Sequence, residues 1–229
     1  MRNWEAALLE TFMVWVVAPL LRLYLHPRVE GRHRIPPEGR LIVVSNHLSF
    51  VDSFLVPIAL LPRRVTVLTK AEYFEGKGLK GAFNRWFLTS MGYVPVRRGT
   101  GRAALGALDQ GIEIIETGRA FALYPEGTRS DDGRLYRGRA GIGALVLSTG
   151  AQVLPVGIIG TERMQPVGQK IPTTFARVTV RIGEPMEFGQ YAADPPGKAR
   201  RMIADEVTQA IQKLSGQEYA GIYNDRAPT

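Results

Sequence analysis

The chain has no cysteine. Disulfides, thiolate nucleophiles and thiolate metal sites are thereby excluded, and exposure to the cytoplasm fits. Histidine is scarce: His26, His33 and His47 are the three copies. No ligand cluster is visible, so no metal is expected. A run long enough to span a bilayer is also missing. The longest uncharged stretch of the apolar N-terminus, Thr11–Leu21, has 11 residues, whereas a spanning helix needs roughly 20. A basic start and a small-residue cleavage site, the marks of a signal peptide, are not seen. Neither is a G-x-S-x-G elbow, which leaves a serine hydrolase unsupported. There is no internal repeat and no low-complexity tract.

What the 229 residues do contain is enough apolar content, 45 %, to fill a core in one large domain or two small ones. The formal charge is +8 and the pI about 10.0. Most of the basic residues are arginine, whose planar fork suits phosphate. Such a balance favours an anionic partner: nucleic acid, an acidic membrane surface or a phosphorylated substrate. The N-terminus reads WEAALLETFMVWVVAPLLRLYLHP from Trp4. One reading is a helix lying in or dipping into one leaflet, with Trp4 and Trp15 near the headgroups and Arg22, Arg28, Arg32 and Arg34 facing anionic lipid. The other is a core helix packed on the domain.

Along the chain, short apolar runs alternate with helical patterns. Strands are expected at LIVVS (41–45), VTVLT (65–69), YVPV (93–96), AFALY (120–124), VLPVGII (153–159) and RVTVRIG (177–183). Helices are expected at Val51–Leu61, Leu79–Ser90, Arg102–Thr117, Gly141–Ser148 and Lys198–Leu214. This alternation implies an α/β fold, a mostly parallel central sheet flanked by helices, with the N-terminal helical segment as a membrane-associating addition. Residues 1–30 are expected to form that segment, 31–215 the α/β domain, and 216–229 a loose tail. Sites in such sheets form at the carboxyl ends of strands. The polar segments SNHLSFVD, RRGTG and PEGTRS all follow apparent strand ends, so they should converge on one rim.

His26, before a proline, and His33, in an arginine-rich connector, read as surface residues. His47 follows a strand directly and precedes Asp52 by five residues. If a helix begins near Phe50, Asp52 lies in its first turn and can reach back to the entering loop. A bond to one ring nitrogen of His47 would fix the tautomer and free the other nitrogen as a base. Spacing alone equally allows a plain helix cap with His47 as bystander. With no nucleophile in view, a general base acting on a substrate hydroxyl is the simpler use of the imidazole. In GYVPVRRG (92–99) two adjacent arginines can grip phosphate, although a double arginine alone is ordinary surface. In LYPEGTRS (123–130) Glu126 and Arg129 flank Gly127, whose missing side chain allows a ligand or a backbone to approach closely. In isolation that stretch is a tight turn with a salt bridge.

Together these segments resemble the glycerolipid acyltransferases of the lysophosphatidic acid acyltransferase type. NHLSFVD (46–52) matches their NHxxxxD block. GYVPVRR (92–98) is similar to the second block and YPEGTRS (124–130) to the third, FPEGTRS. VLPVGI (153–158) looks like the fourth, and KAEYF (70–74) resembles the Lys-x-Glu segment between the first two. The order and spacing agree over about residues 30–185.

The resemblance implies His47 as general base, oriented by Asp52. It implies Arg98 as the ligand of the acceptor phosphate and Glu126, Gly127 and Arg129 as shapers of the acceptor site. Asn46 would join the substrate-binding residues, Lys70 would add charge near the phosphate, and Pro155 would shape the apolar side of the fourth block. Arg97 stands where the family often has an acidic or small polar residue, so its role is less defined. The implied donor is acyl-CoA or acyl carrier protein, as co-substrate and without a cofactor. The implied acceptor is the lysophospholipid 1-acylglycerol 3-phosphate, giving phosphatidate. Related members acylate glycerol 3-phosphate, other lysophospholipids or sugar lipids. The implied partner is a membrane phospholipid surface, at the cytoplasmic face of the cell membrane, and not nucleic acid: the arginines are spread and no nucleic-acid module is recognisable. A basic non-enzymatic binding protein and an esterase using the same His/Asp pair are the rival readings.

Overall fold

LIVVS illustrates how the sequence builds the centre of the molecule. Its residues alternate between two faces of a strand: Leu41 and Val43 enter one apolar cluster, Ile42 and Val44 the other. A strand buried on both faces needs apolar residues throughout, and all five positions of Leu41–Ser45 are buried. The computed structural model describes residues 18–96, 102–169 and 176–225, together with Val16 and Pro172. The expected N-terminal helix lies largely outside the described residues; its final part is helix α1, Ala18–Leu25.

The remaining elements in chain order are β1 (Arg28–Glu30), β2 (Leu41–Ser45), α2 (Asp52–Leu60), β3 (Val65–Lys70), α3 (Gly78–Ser90), β4 (Tyr93–Val96), α4 (Arg102–Glu116), β5 (Ala120–Leu123), α5 (Gly141–Thr149), β6 (Gln152–Ile159), α6 (Thr161–Met164), β7 (Thr179–Ile182) and α7 (Pro196–Ser215). The seven strands form one sheet in the order β1-β7-β6-β2-β5-β3-β4. Neighbours are parallel except β6 and β7, so the expected mostly parallel sheet is present. The carboxyl ends of β2 to β6 therefore share a rim.

Helices cover both faces. Leu25 of α1, Leu55 and Ile58 of α2 and Leu88 of α3 pack on one side. Ile115 of α4, Ile142 of α5 and Ile203 and Val207 of α7 pack on the other. In α2, Pro57 has no N–H for the carbonyl of Ser53, one turn back. The Tyr93 hydroxyl of β4 donates to that carbonyl instead, at 2.6 Å. Among the described residues no helix is long and apolar enough to cross a membrane.

Three expectations meet different contacts. First, β1 starts at Arg28 and pairs with β7, so the sheet begins ahead of the boundary expected at residue 31. Second, three arginines expected to face lipid are engaged by the protein: Arg32 donates to the Leu61 carbonyl, Arg34 to the Ile182 carbonyl at 2.9 Å, and Arg28 pairs with Glu30 at 2.9 Å. Third, the described part of the tail is pinned. The Leu135 N–H donates to the Glu218 carbonyl and the Arg137 N–H to that of Ile222, at 2.8 and 2.9 Å. Tyr223 receives the guanidinium groups of Arg137, Arg139 and Arg201 at 5.5–5.7 Å from its ring centre.

Candidate active site

The chain leaves β2 at Ser45 into a loop whose polar atoms are almost all used. The Asn46 amide donates to the Ile158 carbonyl at 2.8 Å and accepts from its N–H at 2.7 Å. This two-bond pair continues the β2–β6 pairing one residue past the strand end. Ser49 donates its hydroxyl to the Gln165 carbonyl at 2.9 Å. At the start of α2, Asp52 Oδ2 accepts from the N–H groups of Leu48 and Ser49, both at 2.7 Å. Those donors precede the helix and would otherwise be orphaned in a buried loop.

The same oxygen accepts from His47 Nδ1 at 3.0 Å. An oxygen already holding two N–H donors takes a third donor, so Nδ1 carries the hydrogen and Nε2 is left with its lone pair. Asp52 is fully buried and His47 is 7 % exposed. The imidazole lies flat on the Tyr124 ring, with centroids 3.8 Å apart and planes at 11°. The ring's plane and tautomer are thus both set, and Tyr124 offers its π-face to an imidazolium. The cap reading and the oriented-imidazole reading of Asp52 turn out to be compatible: one oxygen performs both tasks.

The loop after β5, the strand beside β2, clamps the His47 backbone from both sides. Its N–H donates to Glu126 Oε1 at 3.0 Å, and its carbonyl accepts from the Ser130 N–H at 2.8 Å. Glu126 Oε2 accepts from the Tyr136 N–H at 2.9 Å. Burial pushes the Glu126 carboxyl up to about 7; its two backbone donors oppose that rise, and the nearby negative Asp52 and Asp132 add to it. Gly127 turns the loop at φ +83°, and a Cβ there would stand 3.0 Å from Arg139 Nε. The close approach that Gly127 allows is therefore to a guanidinium of the protein. Arg129 is half-buried, and its carbonyl accepts from the Asn224 amide at 3.2 Å, which links the C-terminal segment to the site loop.

His47, Asp52, Gly127 and Arg129 are brought to the rim between β2 and β5. Lys70 ends β3 on the same rim, half-buried, with β5 between it and β2. Pro155 is buried within β6, in register with Val44. Asn46 and Glu126, expected to bind substrate, are 0 % exposed, and their polar atoms are committed to backbone partners. Their chemistry looks the same in sequence whether they hold a ligand or a loop. Arg97 and Arg98 lie outside the described residues. Pro95 and Val96, which precede them in the chain, join Ala71, Phe74, Glu75, Gly106 and Gln110 around a cavity of about 540 Å³. His26 and His33 are exposed, and among the described residues no group of His, Asp and Glu is placed to hold a metal. The role of Tyr124 was missed. Its only signal was the aromatic that opens the third block, which reads equally well as the last residue of a strand.

Residues 26–159 match the family described as Acyltransferase. The chain belongs to that family. A solved structure, the 1-acyl-sn-glycerophosphate (LPA) acyltransferase PlsC from Thermotoga maritima, superimposes with a TM-score of 0.64 at 25 % identity, over 93 % of this chain and 83 % of that one. The chloroplastic 1-acyl-sn-glycerol-3-phosphate acyltransferase LPAT1 of Arabidopsis thaliana is 29 % identical over 184 residues, 78 % of this chain and 48 % of the relative. A lyso-ornithine lipid O-acyltransferase of Pseudomonas aeruginosa is 31 % identical over 145 residues, 63 % of this chain and 51 % of the relative. The chain thus spans about half the length of these two relatives.

Proposed function

We propose that this acyltransferase-family protein moves a fatty acyl group from acyl-CoA or acyl carrier protein to the free hydroxyl of 1-acylglycerol 3-phosphate, making phosphatidate for phospholipid synthesis at the cytoplasmic face of the cell membrane. The observation that carries the reading is the 3.0 Å bond from His47 Nδ1 to Asp52 Oδ2 at the carboxyl end of β2. That bond leaves Nε2 as the acceptor on a ring of fixed plane.

In this reading Nε2 takes the proton from the acceptor hydroxyl as its oxygen attacks the thioester carbonyl. The imidazolium forms between the Asp52 carboxylate and the Tyr124 face, and then gives the proton to the departing thiolate. A positioned base typically contributes about 10²–10⁴-fold. Because Nδ1 stays bonded to Asp52 throughout, the ring does not have to turn between the two transfers. Arg98, with Arg97, Lys70 and Arg129 in support, is assigned to the acceptor phosphate; Gly127 supplies the left-handed residue of the turn that carries Arg129. The segment ahead of β1 is assigned to the membrane surface, where acceptor and product reside.

The relatives are named for different acceptors, one a glycerol phosphate lipid and one an ornithine lipid. The test is therefore a panel: purified protein, one labelled acyl thioester, and acceptors with and without phosphate. Labelled phosphatidate as the main product supports the reading. Transfer only to phosphate-free acceptors overturns the acceptor assignment, and free fatty acid as the sole product overturns acyl transfer.

A further inference from the structure

The exposed apolar side chains are unevenly distributed. Among the described residues ten large hydrophobics are exposed, and seven of them fall in two segments: Val16, Leu20, Leu23 and Tyr24, then Tyr73, Leu79 and Phe83. Helices α1 and α3 both pack on the sheet face that α2 covers. On α3, Leu79, Phe83 and Trp86 recur at the spacing that aligns side chains along one helix face. Leu79 is 92 % exposed and Phe83 59 %, and Phe83 meets Trp86 at 5.4 Å. A folded protein gains nothing from holding a leucine so far into water, and clustered exposed apolar residues mark an interaction surface.

The surroundings specify the occupant. Gly78–Ser90 contains no acidic residue, and Lys80 and Arg85 lie on it with Lys77 just before it, all exposed; Glu72 and Glu75 stand in the preceding turn. Apolar side chains bordered by lysines on a helix end suit a surface with anionic headgroups over an acyl layer. The patch is also continuous with the site. Rings run from Phe50, three residues after His47, to Phe54 at 5.3 Å, on to Phe87 at 6.2 Å and then to Phe83 at 6.3 Å; Phe50 also meets Tyr73 at 6.0 Å. From these observations we infer that α3 is a second lipid-contacting element, distinct from the N-terminal segment. It inserts Leu79, Phe83 and Trp86 into an anionic phospholipid leaflet beside the rim that holds His47. The inference rests on the reading of an enzyme whose acceptor resides in a bilayer, but its test uses no substrate.

The full-length chain is mixed with vesicles of phosphatidylcholine alone or with phosphatidylglycerol, and bound protein is measured by co-sedimentation. The Leu79→Ser/Phe83→Ser variant is expected to partition at least about tenfold more weakly onto anionic vesicles. Leu105→Ser, on α4 across the sheet and 61 % exposed in the parent, is expected to leave binding unchanged. Thermal melts confirm that both variants fold. In a Trp4→Phe/Trp15→Phe background Trp86 is the sole tryptophan, and its emission should shift to the blue on adding anionic vesicles. Unchanged partition of the double variant, or no Trp86 shift, overturns the proposal. So does a double variant that binds vesicles normally but loses a dimer in solution, because α3 would then be a contact between copies. A parent protein that shows the expected vesicle behaviour but transfers no acyl group would instead count against the proposed reaction.

Discussion

Replacing Asp52 by asparagine separates the charge of this residue from its hydrogen bonding. Oδ2 holds three donors, from Leu48, Ser49 and His47, at 2.7, 2.7 and 3.0 Å. An asparagine must turn its oxygen to the same place, because its NH₂ would face three donors there. The loop, the ring plane and the Nδ1–H tautomer are retained; the negative charge disappears, and the NH₂ takes the buried Oδ1 place, which has no hydrogen-bond partner. Opposite charges about 4 Å apart attract by about 4 kcal/mol at an effective dielectric near 20, and about 1.36 kcal/mol changes a rate tenfold. The amide dipole keeps part of that stabilisation, so kcat should fall by about 10²–10³. The assay is thiol release from the acyl thioester at saturating acceptor, alongside a thermal melt. A D52N protein that melts like the parent and turns over within about threefold of it would refute the claim that Asp52 stabilises an imidazolium.

Two other perturbations test the scaffold around the site. Glu126 has its carboxyl raised from 4.5 to about 7, chiefly by burial, so the folded state holds more protons than the unfolded between those values. Its favourable contribution is complete below about 4.5 and is lost as pH rises through about 7. Glu126→Gln removes that slope and also leaves one backbone N–H facing an amide NH₂, at a cost of about 1–3 kcal/mol. Urea titrations should therefore show E126Q below the parent at pH 5, with the gap shrinking or reversing by pH 8; a constant gap would contradict the raised carboxyl. Tyr93→Phe should cost about 1–2 kcal/mol by stranding the Ser53 carbonyl, and adding Pro57→Ala should recover part of the loss by restoring an N–H for it. No recovery in the double variant would show that the tyrosine acts in another way.

The parts of the architecture that follow from local pattern were legible in the sequence. Short continuous apolar runs such as LIVVS and the amphipathic stretch ending at Leu214 need only their own residues to declare themselves. The observed α7, Pro196–Ser215, differs from the expectation by a turn fraction at each end. β1 was not legible: its three residues, Arg-Val-Glu, carry two charges, and only pairing with β7 at the sheet edge makes them a strand. The antiparallel direction of β7 is likewise a property of the connection after β6. At the site, His47 and Asp52 could be paired because five residues of loop and first turn bring them together. Asn46 and Glu126 could not be assigned to the fold in advance. Their partners, Ile158 and the Tyr136 N–H, lie far along the chain or across a turn, and a buried fastener has the same letter as a ligand contact. The pinned tail is the same case, since the Asn224–Arg129 bond joins positions 95 residues apart.

The central claim, that a single oriented imidazole moves the proton, is tested most directly by single-turnover acyl transfer in His47→Ala. The account predicts a loss of about 10²–10⁴-fold or more, with the melting temperature and vesicle binding of the parent. A folded His47→Ala protein that transfers the acyl group within about tenfold of the parent rate would contradict it.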